Sequence, residues 1–436
     1  MSRIAFVLSV IVLSAGCVGN HPYRIHYNGT TAEVDPVKEE KLKTKEFDAL
    51  QTGAGIPERE WPYKLGFVEF DDRGEMFDRR QVDNAVKAIE TAKDEARTNG
   101  TNAVVMVFVH GWKNNASETS GNVWGVRQML AGLALQYKVP GGPQAPVVGI
   151  YIGWRGAVLS PPIIKEFTVL DRRDKSQNLP SAHMVEALLR IMRAAKGPDF
   201  EDASTVSVLI GHSFGGAVLE TALTQTLEGL VVKAGPGGTV HWPANLIMFL
   251  NEAQEATRSY QLIESLMTNL EPRQPLDAPG IISISSTGDY ATRAFFPAVQ
   301  SVTRPFNSLR RYPGPNKLGI KSQTPMYFNT TAHLKQFRSH LFGRDDDPAI
   351  KAALQCCQPF REATIAGVKY VIVEKPGALN RTPYWVMQLP PSLVPDHSTI
   401  FTPQFRSVLV NFLLGSSLNP LNTPTYRKMN VEKVVR

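Results

Sequence analysis

An apolar run leads directly into a glycine-flanked serine in the segment Val206-Ser207-Val208-Leu209-Ile210-Gly211-His212-Ser213-Phe214-Gly215-Gly216. The part before Gly211 has the length and β-branched composition of a buried strand. Apolar residues then recur at helical spacing, at Val218, Leu219, Ala222, Leu223 and Leu227. A Gly-X-Ser-X-Gly turn between a strand and a helix has the form of a nucleophile elbow, whose small residues let the two elements approach closely. The segment therefore predicts that Ser213 is a nucleophile.

The composition is that of an ordinary globular enzyme. The chain has 436 residues, of which 43% are hydrophobic and 20% are charged, and its formal net charge is +7. Lysine and arginine are scattered along the chain, and no basic run carries the interleaved aromatic residues that are typical of nucleic-acid binders. The sequence therefore predicts no nucleic-acid partner, and the mild positive charge indicates a solvated basic surface.

The N-terminus has the pattern of a secretory signal. Met1-Ser2-Arg3 supplies a positive start, and Ile4 to Ser14 form an apolar run that is too short to span a bilayer, which needs roughly 20 residues. The segment Leu13-Ser14-Ala15-Gly16-Cys17 resembles a bacterial lipobox, although Ser14 stands where leucine is usual. The resemblance implies that residues 1–16 are a signal peptide and that Cys17 is lipidated, for example with palmitate.

A lipidated Cys17 has consequences for localisation. Residues 17–62 are polar and are predicted to be a tether between the anchor and the folded part of the chain. Because Val18 rather than aspartate follows the cysteine, the resemblance implies the outer membrane, with the protein facing the periplasm. We therefore expect a membrane-anchored protein of the bacterial cell envelope.

Strand and helix patterns alternate from residue 63 to residue 415. Buried strands are predicted at 64–70, 103–109, 146–152, 206–210, 244–250 and 280–286, while 370–374 and 384–389 are interpreted as a paired ribbon or a final sheet strand. Strands that are apolar on both faces and separated by amphipathic helices are typical of a mostly parallel sheet covered on both sides. The sequence thus predicts an α/β domain, with a long insertion at about 291–361 that forms a pocket or lid, followed by a loose tail at 416–436.

Four motifs occur in an order typical of one superfamily. They are the turn Gly211-His212-Ser213-Phe214-Gly215-Gly216, the run His110-Gly111-Trp112, Asp289 after a strand, and His397 before the last helix. In this arrangement the chain resembles the α/β-hydrolase superfamily from about Lys64 to Leu414, and specifically its membrane-tethered bacterial esterase-like members. The resemblance implies an α/β-hydrolase fold with a serine, acid and histidine triad in that chain order.

Each of the three triad positions has a chemical reason. A serine hydroxyl is a weak nucleophile unless a base takes its proton, and imidazole is suited to that task near neutral pH. His397 is the expected base, and Asp289 is the expected acid that orients the imidazole. The acid position has two alternatives, Glu252 and Glu255, because both follow the preceding strand.

The resemblance also implies an oxyanion hole made by two backbone N–H groups. One belongs to Phe214, the residue after the nucleophile, and the other is expected from Trp112 in the loop after His110-Gly111. His110 itself is interpreted as a structural residue that holds this loop. The side chain of His212 is expected to leave the turn in another direction.

The remaining patterns predict neither a metal nor a cofactor. There is no His-x-x-x-His pair and no dinucleotide-binding glycine motif after a strand. Cys356-Cys357 are interpreted as buried thiols, with a strained vicinal disulfide as the alternative. The sequence therefore predicts a serine hydrolase, most simply of carboxylic esters, with a small-molecule ester as its substrate. An amide or thioester hydrolase with the same triad, or a non-catalytic envelope binding module, remain as alternatives.

Overall fold

The computed structural model describes residues 22–24, 63–112, 114–117, 120–136, 145–154, 182–270, 279–303, 309–355, 359–365, 367–374, 379 and 382–414. Within them the strands are β1 (Lys64–Glu69), β2 (Ala103–Val109), β3 (Val147–Gly153), β4 (Thr205–His212), β5 (Leu246–Leu250), β6 (Ile281–Ser286), β7 (His340–Arg344), β8 (Pro359–Ile365), β9 (Val368–Glu374) and β10 (Tyr384–Leu389). The helices are α1 (Arg80–Asn99), α2 (Gly121–Gln136), α3 (Ala182–Lys196), α4 (Phe214–Ala234), α5 (Ala256–Asn269), α6 (Phe296–Thr303), α7 (Thr324–Phe328), α8 (Pro348–Leu354) and α9 (Pro403–Leu414).

The central sheet is built from the strands with apolar residues on both faces. Its seven strands lie in the order β1-β3-β2-β4-β5-β6-β10, and each neighbouring pair is parallel. Every residue of β2 and β4 is buried, as expected for strands in the middle of a sheet that is covered on both sides. The predicted mostly parallel sheet is therefore confirmed.

Helices cover both faces of this sheet. On one face, α1, α3, α4 and α5 pack against side chains such as Val105 and Val107 of β2. On the other face, α2 and α9 pack with the alternate residues Val104, Met106 and Phe108. The α1 helix ends at Gly100, which adopts φ 65° and whose N–H closes the last turn on the carbonyls of residues 96 and 97. The order and layers are those of an α/β-hydrolase fold, which confirms the predicted fold class.

The long insertion before the last strand is also observed. Between β6 and β10 the chain forms a π-helical turn (Ala291–Phe295), α6, α7, a 3₁₀ turn (Thr331–His333) and a small antiparallel sheet in the order β7-β9-β8. Of the two interpretations of 370–374 and 384–389, the paired ribbon is wrong, because β9 pairs with β7 and β8 whereas β10 joins β6 in parallel.

The N-terminal segment contacts the domain near the end of β1. The backbone N–H groups of Tyr23 and Arg24 donate to the Glu69 carboxylate at 2.8 and 2.7 Å, and Arg24 Nε donates to the Ala116 carbonyl at 2.7 Å. The predicted signal peptide, Cys17, the remainder of the predicted tether, the Cys356-Cys357 pair and the tail at 416–436 lie outside the described residues.

Candidate active site

Ser213 occupies a strained turn between β4 and α4. Its φ of 57° and ψ of −125° are unusual for a residue with a Cβ atom, and such conformations cluster at functional sites. A Cβ on Gly211 would lie 2.7 Å from the Gly215 carbonyl oxygen, and a Cβ on Gly215 would lie 2.2 Å from the Val109 carbonyl oxygen. The two glycines thus allow the helix to start directly against the sheet, so Ser213 stands at the carboxyl end of β4.

The predicted serine, histidine and aspartate lie in one series of hydrogen bonds. His397 Nε2 is 2.7 Å from Ser213 Oγ, and His397 Nδ1 is 2.9 Å from Asp289 Oδ2. Ser213 and Asp289 are buried, whereas His397 is 21% exposed. With Nδ1 protonated, the imidazole donates to the carboxylate and Nε2 accepts the serine hydroxyl proton. This tautomer is the one that a general base requires.

The Asp289 carboxylate is held from several sides. Its Oδ1 accepts the Thr292 backbone N–H at 3.1 Å, and its Oδ2 accepts the Thr292 hydroxyl as well as His397 Nδ1–H. Burial by itself would raise the pKa of this carboxyl, but the hydrogen bond and charge of His397 and the two donors of Thr292 outweigh it and lower the pKa. Asp289 is therefore ionised at neutral pH and can stabilise a charged imidazole.

The two alternative acids have other neighbours. Glu252 is buried beside Glu220, and burial followed by the charge of Glu220 raises its pKa well above 4.5. Glu255 Oε2 accepts a hydrogen bond from Gln300 Nε2 at 3.2 Å. Of the three carboxylates considered from the sequence, the structure brings Asp289 to His397.

The main chain around His397 is anchored by two side chains at the ends of neighbouring strands. His212 Nε2 lies 2.8 Å from the His397 carbonyl oxygen, and Asn251 Nδ2 donates to the same oxygen at 3.2 Å. Burial, followed by the nearby His397, lowers the pKa of His212 to about 3, so its neutral ring can donate through Nε2. Asn251 also accepts the Ser286 backbone N–H at 2.9 Å, which joins the His397 loop to the end of β6.

His110 supports the loop that passes the serine. Its ring is buried and stacks on Trp154 at 5.4 Å, and its Nε2 accepts the Trp154 backbone N–H at 2.9 Å. Burial lowers the pKa of His110 to about 4, so the ring is neutral, as an acceptor must be. The next residue, Gly111, passes so close to the serine that a Cβ there would lie 2.6 Å from Ser213 Cβ. These contacts agree with the structural role predicted for His110.

A cavity of about 460 Å³ opens beside Ser213 and His397. Its wall is mainly apolar and includes Trp112, Phe214, Tyr290, Phe295, Phe296 and Val299. Trp112 and Phe214, the two residues expected to supply backbone N–H groups, therefore border the same space as the serine. Because Phe214 begins α4, its N–H has no acceptor within the helix and is available to a ligand there.

Sequence reasoning missed several residues of this site. Thr292, His333 and Asn251 carry no motif. Thr292 contacts Asp289 three residues earlier, whereas the contacts of His333 with Thr292 and of Asn251 with the His397 carbonyl join segments far apart in the chain. A pattern within one segment could not have identified His333 or Asn251. The contact of His212 with the His397 backbone likewise joins residues 185 positions apart.

The part of the chain that the structure describes contains neither a metal-binding group of side chains nor a membrane-spanning helix. Within residues 63–414, apart from the gaps given above, no group of three or more His, Cys, Asp or Glu side chains is arranged to hold a metal ion. Over the same described ranges, no helix has both the length and the apolar character needed to cross a bilayer.

No protein-family model matches the sequence, and no curated protein matches it significantly. Among solved structures the chain is similar to one described as phospholipase PlaB from Legionella pneumophila in complex with thio-NAD, with 17% sequence identity and a TM-score of 0.32. The match covers 76% of this chain and 62% of that chain, so it spans less than two thirds of the solved protein.

Proposed function

We propose that this protein is a serine hydrolase that cleaves carboxylic esters through an acyl-enzyme on Ser213. The observation that carries the proposal is the hydrogen-bonded series from Ser213 Oγ through His397 to Asp289, at 2.7 and 2.9 Å, beside an apolar cavity. The strained serine and its glycine-lined turn add to it, because strain of this kind persists where the surrounding structure enforces it.

The proposed reaction has two steps, acylation of Ser213 and hydrolysis of the acyl-enzyme, and the same groups act in both. Ser213 Oγ attacks the carbonyl carbon of the ester while His397 Nε2 takes the hydroxyl proton, and Asp289 stabilises the resulting imidazolium. The bond between carbon and the alcohol oxygen then breaks, and the imidazolium returns its proton to the leaving oxygen. In the second step a water molecule attacks the carbonyl carbon of the acyl-serine while His397 takes its proton. The carboxylic acid product is released, and the proton returns to Ser213 Oγ.

The negative charge that develops on the carbonyl oxygen needs donors that are already in place. We propose the backbone N–H groups of Phe214 and Trp112 for this role. The free position of the Phe214 N–H at the start of α4 and the packing of Gly111 against Ser213 support it. Removal of one such donor typically lowers the rate by about 10²–10³.

The cavity indicates the kind of acyl group. A volume of about 460 Å³ lies within the range of small-molecule sites, and its aromatic and aliphatic wall favours an apolar acyl chain over a sugar or a charged group. An amide or thioester hydrolase uses the same triad, so these remain the second candidates. A non-catalytic binding module is the third candidate, but binding alone gives no reason for a histidine between this serine and this aspartate.

The cellular setting is a separate proposal that depends on the sequence alone. The lipobox-like segment ending at Cys17 supports lipid anchoring at the cell envelope, with the ester substrate reaching the cavity from the periplasm.

Labelling with a fluorophosphonate tests the proposed chemistry directly. We expect a covalent adduct that maps to Ser213 in the full-length protein and is lost in Ser213→Ala and His397→Ala, whose turnover should fall by up to about 10⁶. Ser398→Ala is a matched control, because Ser398 borders the same cavity without contacting the imidazole nitrogens, and it should label normally. A folded wild-type protein without an adduct on Ser213 would exclude the mechanism.

The acid is tested separately. Asp289→Asn should lower turnover by about 10⁴, because an amide no longer holds His397 in the tautomer that accepts the serine proton. Near-normal turnover of this variant would assign the acid to Glu252 or Glu255 instead.

A further inference from the structure

A second series of hydrogen bonds begins at Asp289 and runs away from the serine. The Thr292 hydroxyl contacts Asp289 Oδ2, and His333 Nε2 lies 2.9 Å from Thr292 Oγ1. Gln388 Nε2 lies 3.1 Å from His333 Nδ1, and Arg338 donates through Nη2 to Gln388 Oε1. The proposed catalytic residues are thereby connected to four more side chains.

The chemistry of these groups determines the direction of every bond. A guanidinium can only donate, so the amide oxygen of Gln388 faces Arg338 and its NH₂ group faces His333. His333 Nδ1 then accepts, which leaves the proton on Nε2 for donation to Thr292 Oγ1. With its oxygen occupied as an acceptor, the Thr292 hydroxyl donates to the Asp289 carboxylate.

The protonation of His333 agrees with this direction. Burial lowers the pKa of His333 to about 4, opposed by the negative Asp289 and assisted by the positive Arg293 and Arg338 and by the nearby His397. The ring is therefore neutral at physiological pH, with one nitrogen that donates and one that accepts. A charged ring would donate from both nitrogens. The Gln388 amide would then have to turn its oxygen to His333 and its NH₂ group to Arg338, so that two donors would face each other.

Three residues of this series, Thr292, His333 and Gln388, come from different elements. Thr292 lies in the π-helical turn after Asp289, His333 ends the 3₁₀ turn Thr331–His333, and Gln388 is on β10 opposite Ser285 of β6. Two of these elements belong to the insertion, and β10 is the strand that leads to His397. The series thus ties the insertion and the last strand to the orientation of one carboxylate.

We infer that Thr292, His333 and Gln388 are positioning residues of the reaction, and that they hold the Asp289 carboxylate in the orientation that receives His397 Nδ1–H. The inference rests on the proposed serine hydrolase function. It assigns the insertion a part in catalysis beyond lining the cavity, because removal of His333 acts on Ser213 through Thr292, Asp289 and His397 without contact with the substrate.

The test is a double-mutant cycle on kcat and KM with one p-nitrophenyl ester. Thr292→Val keeps the shape but loses the hydroxyl, and we expect kcat/KM to fall roughly 10- to 100-fold, the effect of one hydrogen bond to a charged group, with KM nearly unchanged. His333→Leu should reduce kcat several-fold. His333→Gln, which can still donate at the Nε2 position, should recover most of that loss, as should Thr292→Ser at its own position.

Non-additivity is the decisive readout. If His333 acts through Thr292, then His333→Leu has no further effect in the Thr292→Val background. Additive losses would overturn the inference. The downfield proton resonance of His397 Nδ1–H should also shift in Thr292→Val. If the stability of the variant is unchanged, general loosening of the fold cannot account for that shift. An unmoved resonance together with wild-type kcat in both single variants would equally refute it.

A neighbouring threonine provides the matched control. Thr331 lies in the same 3₁₀ turn, is buried, and donates to Ser259 Oγ at 2.7 Å instead of joining the series. Thr331→Val should keep kcat/KM near the wild-type value. If His333→Leu does not fold, Gln388→Leu replaces it in the cycle, because its loss should likewise have no further effect in the Thr292→Val background. Fluorophosphonate labelling of the wild type separates this test from the proposed function, because labelling can succeed while the double-mutant cycle fails.

Discussion

Gly215 provides the sharpest test of how the elbow is built. A Cβ added at this residue would lie 2.2 Å from the Val109 carbonyl oxygen and 2.4 Å from that of His110. An ordinary carbon–oxygen contact is longer by about 1 Å, so α4 would have to move away from the sheet by a similar distance. The obstructing strand β2 cannot yield, since it is hydrogen-bonded to β3 on one side and β4 on the other.

We therefore expect Gly215→Ala to destabilise the protein by about 3 kcal/mol or more, at or above the upper end of ordinary overpacking. Gly229→Ala is the matched control, because Gly229 lies on the exposed side of the same helix and a Cβ there meets nothing within 4 Å. That variant should gain about 1 kcal/mol from helix propensity. The two substitutions are chemically identical, so the difference of about 4 kcal/mol comes from the close approach of helix and strand.

Urea unfolding of the purified full-length variants, followed by circular dichroism, measures this difference. The comparison holds if the slope m is the same for both variants, so that the change in midpoint reports stability alone. Fluorophosphonate labelling should also fail for Gly215→Ala and persist for Gly229→Ala. If Gly215→Ala unfolds within about 1 kcal/mol of the wild type, the steric account of the elbow is wrong.

Three further predictions concern other parts of the chain. Burial raises the pKa of Glu220 to about 7 and raises the pKa of Glu252 well above 4.5. Both carboxyls therefore bind protons more tightly in the folded state than in the unfolded state. The stabilisation is complete below about pH 4.5 and is lost as pH rises through the folded-state pKa values. Glu252→Gln should reduce this loss between pH 5 and pH 9, as measured by urea unfolding across that range, and an equally steep loss would contradict the assignment. Cys17→Ser should move the protein from the detergent phase to the aqueous phase on partitioning, and a wild type already in the aqueous phase would exclude the lipid anchor. Trp112→Ala keeps the backbone N–H, so it should alter the acyl-length preference in a series of p-nitrophenyl esters. The rate on short esters should not show the loss of about 10²–10³-fold that is expected when an oxyanion donor is missing. Such a loss on every ester would show that the Trp112 side chain itself is needed.

Features that depend on contiguous residues could be predicted from the sequence. The β4 strand, the Ser213 turn and the start of α4 occupy one segment, and the apolar periodicity on either side predicts both elements. The end of α1 at Gly100 is equally local, because a left-handed C-cap favours glycine. For Asp289 and His397, the order of the chain relative to the strands predicts that both lie at the same edge of a parallel sheet. It does not decide between Asp289, Glu252 and Glu255 as the acid.

The pairing of β9 and β10 shows where local pattern fails. Both segments are apolar strands of suitable length, and a ribbon between them satisfies the sequence as well as separate sheets do. In the structure β10 completes the central sheet beside β6, while β9 lies between β7 and β8. The choice depends on which partner buries each strand, and that is a property of the assembled fold.

By itself the sequence determined the α/β class, the parallel strands and the serine on its glycine-lined turn, since each follows from the spacing of neighbouring residues. Only the tertiary structure decided which carboxylate meets the imidazole and which groups hold it there. His397 and Ser213 are 184 residues apart, and His333 is 41 residues from Thr292. Hydrogen bonds require an approach of about 3 Å, and over such separations that approach depends on the packing of the whole sheet and its insertion, which no single segment encodes.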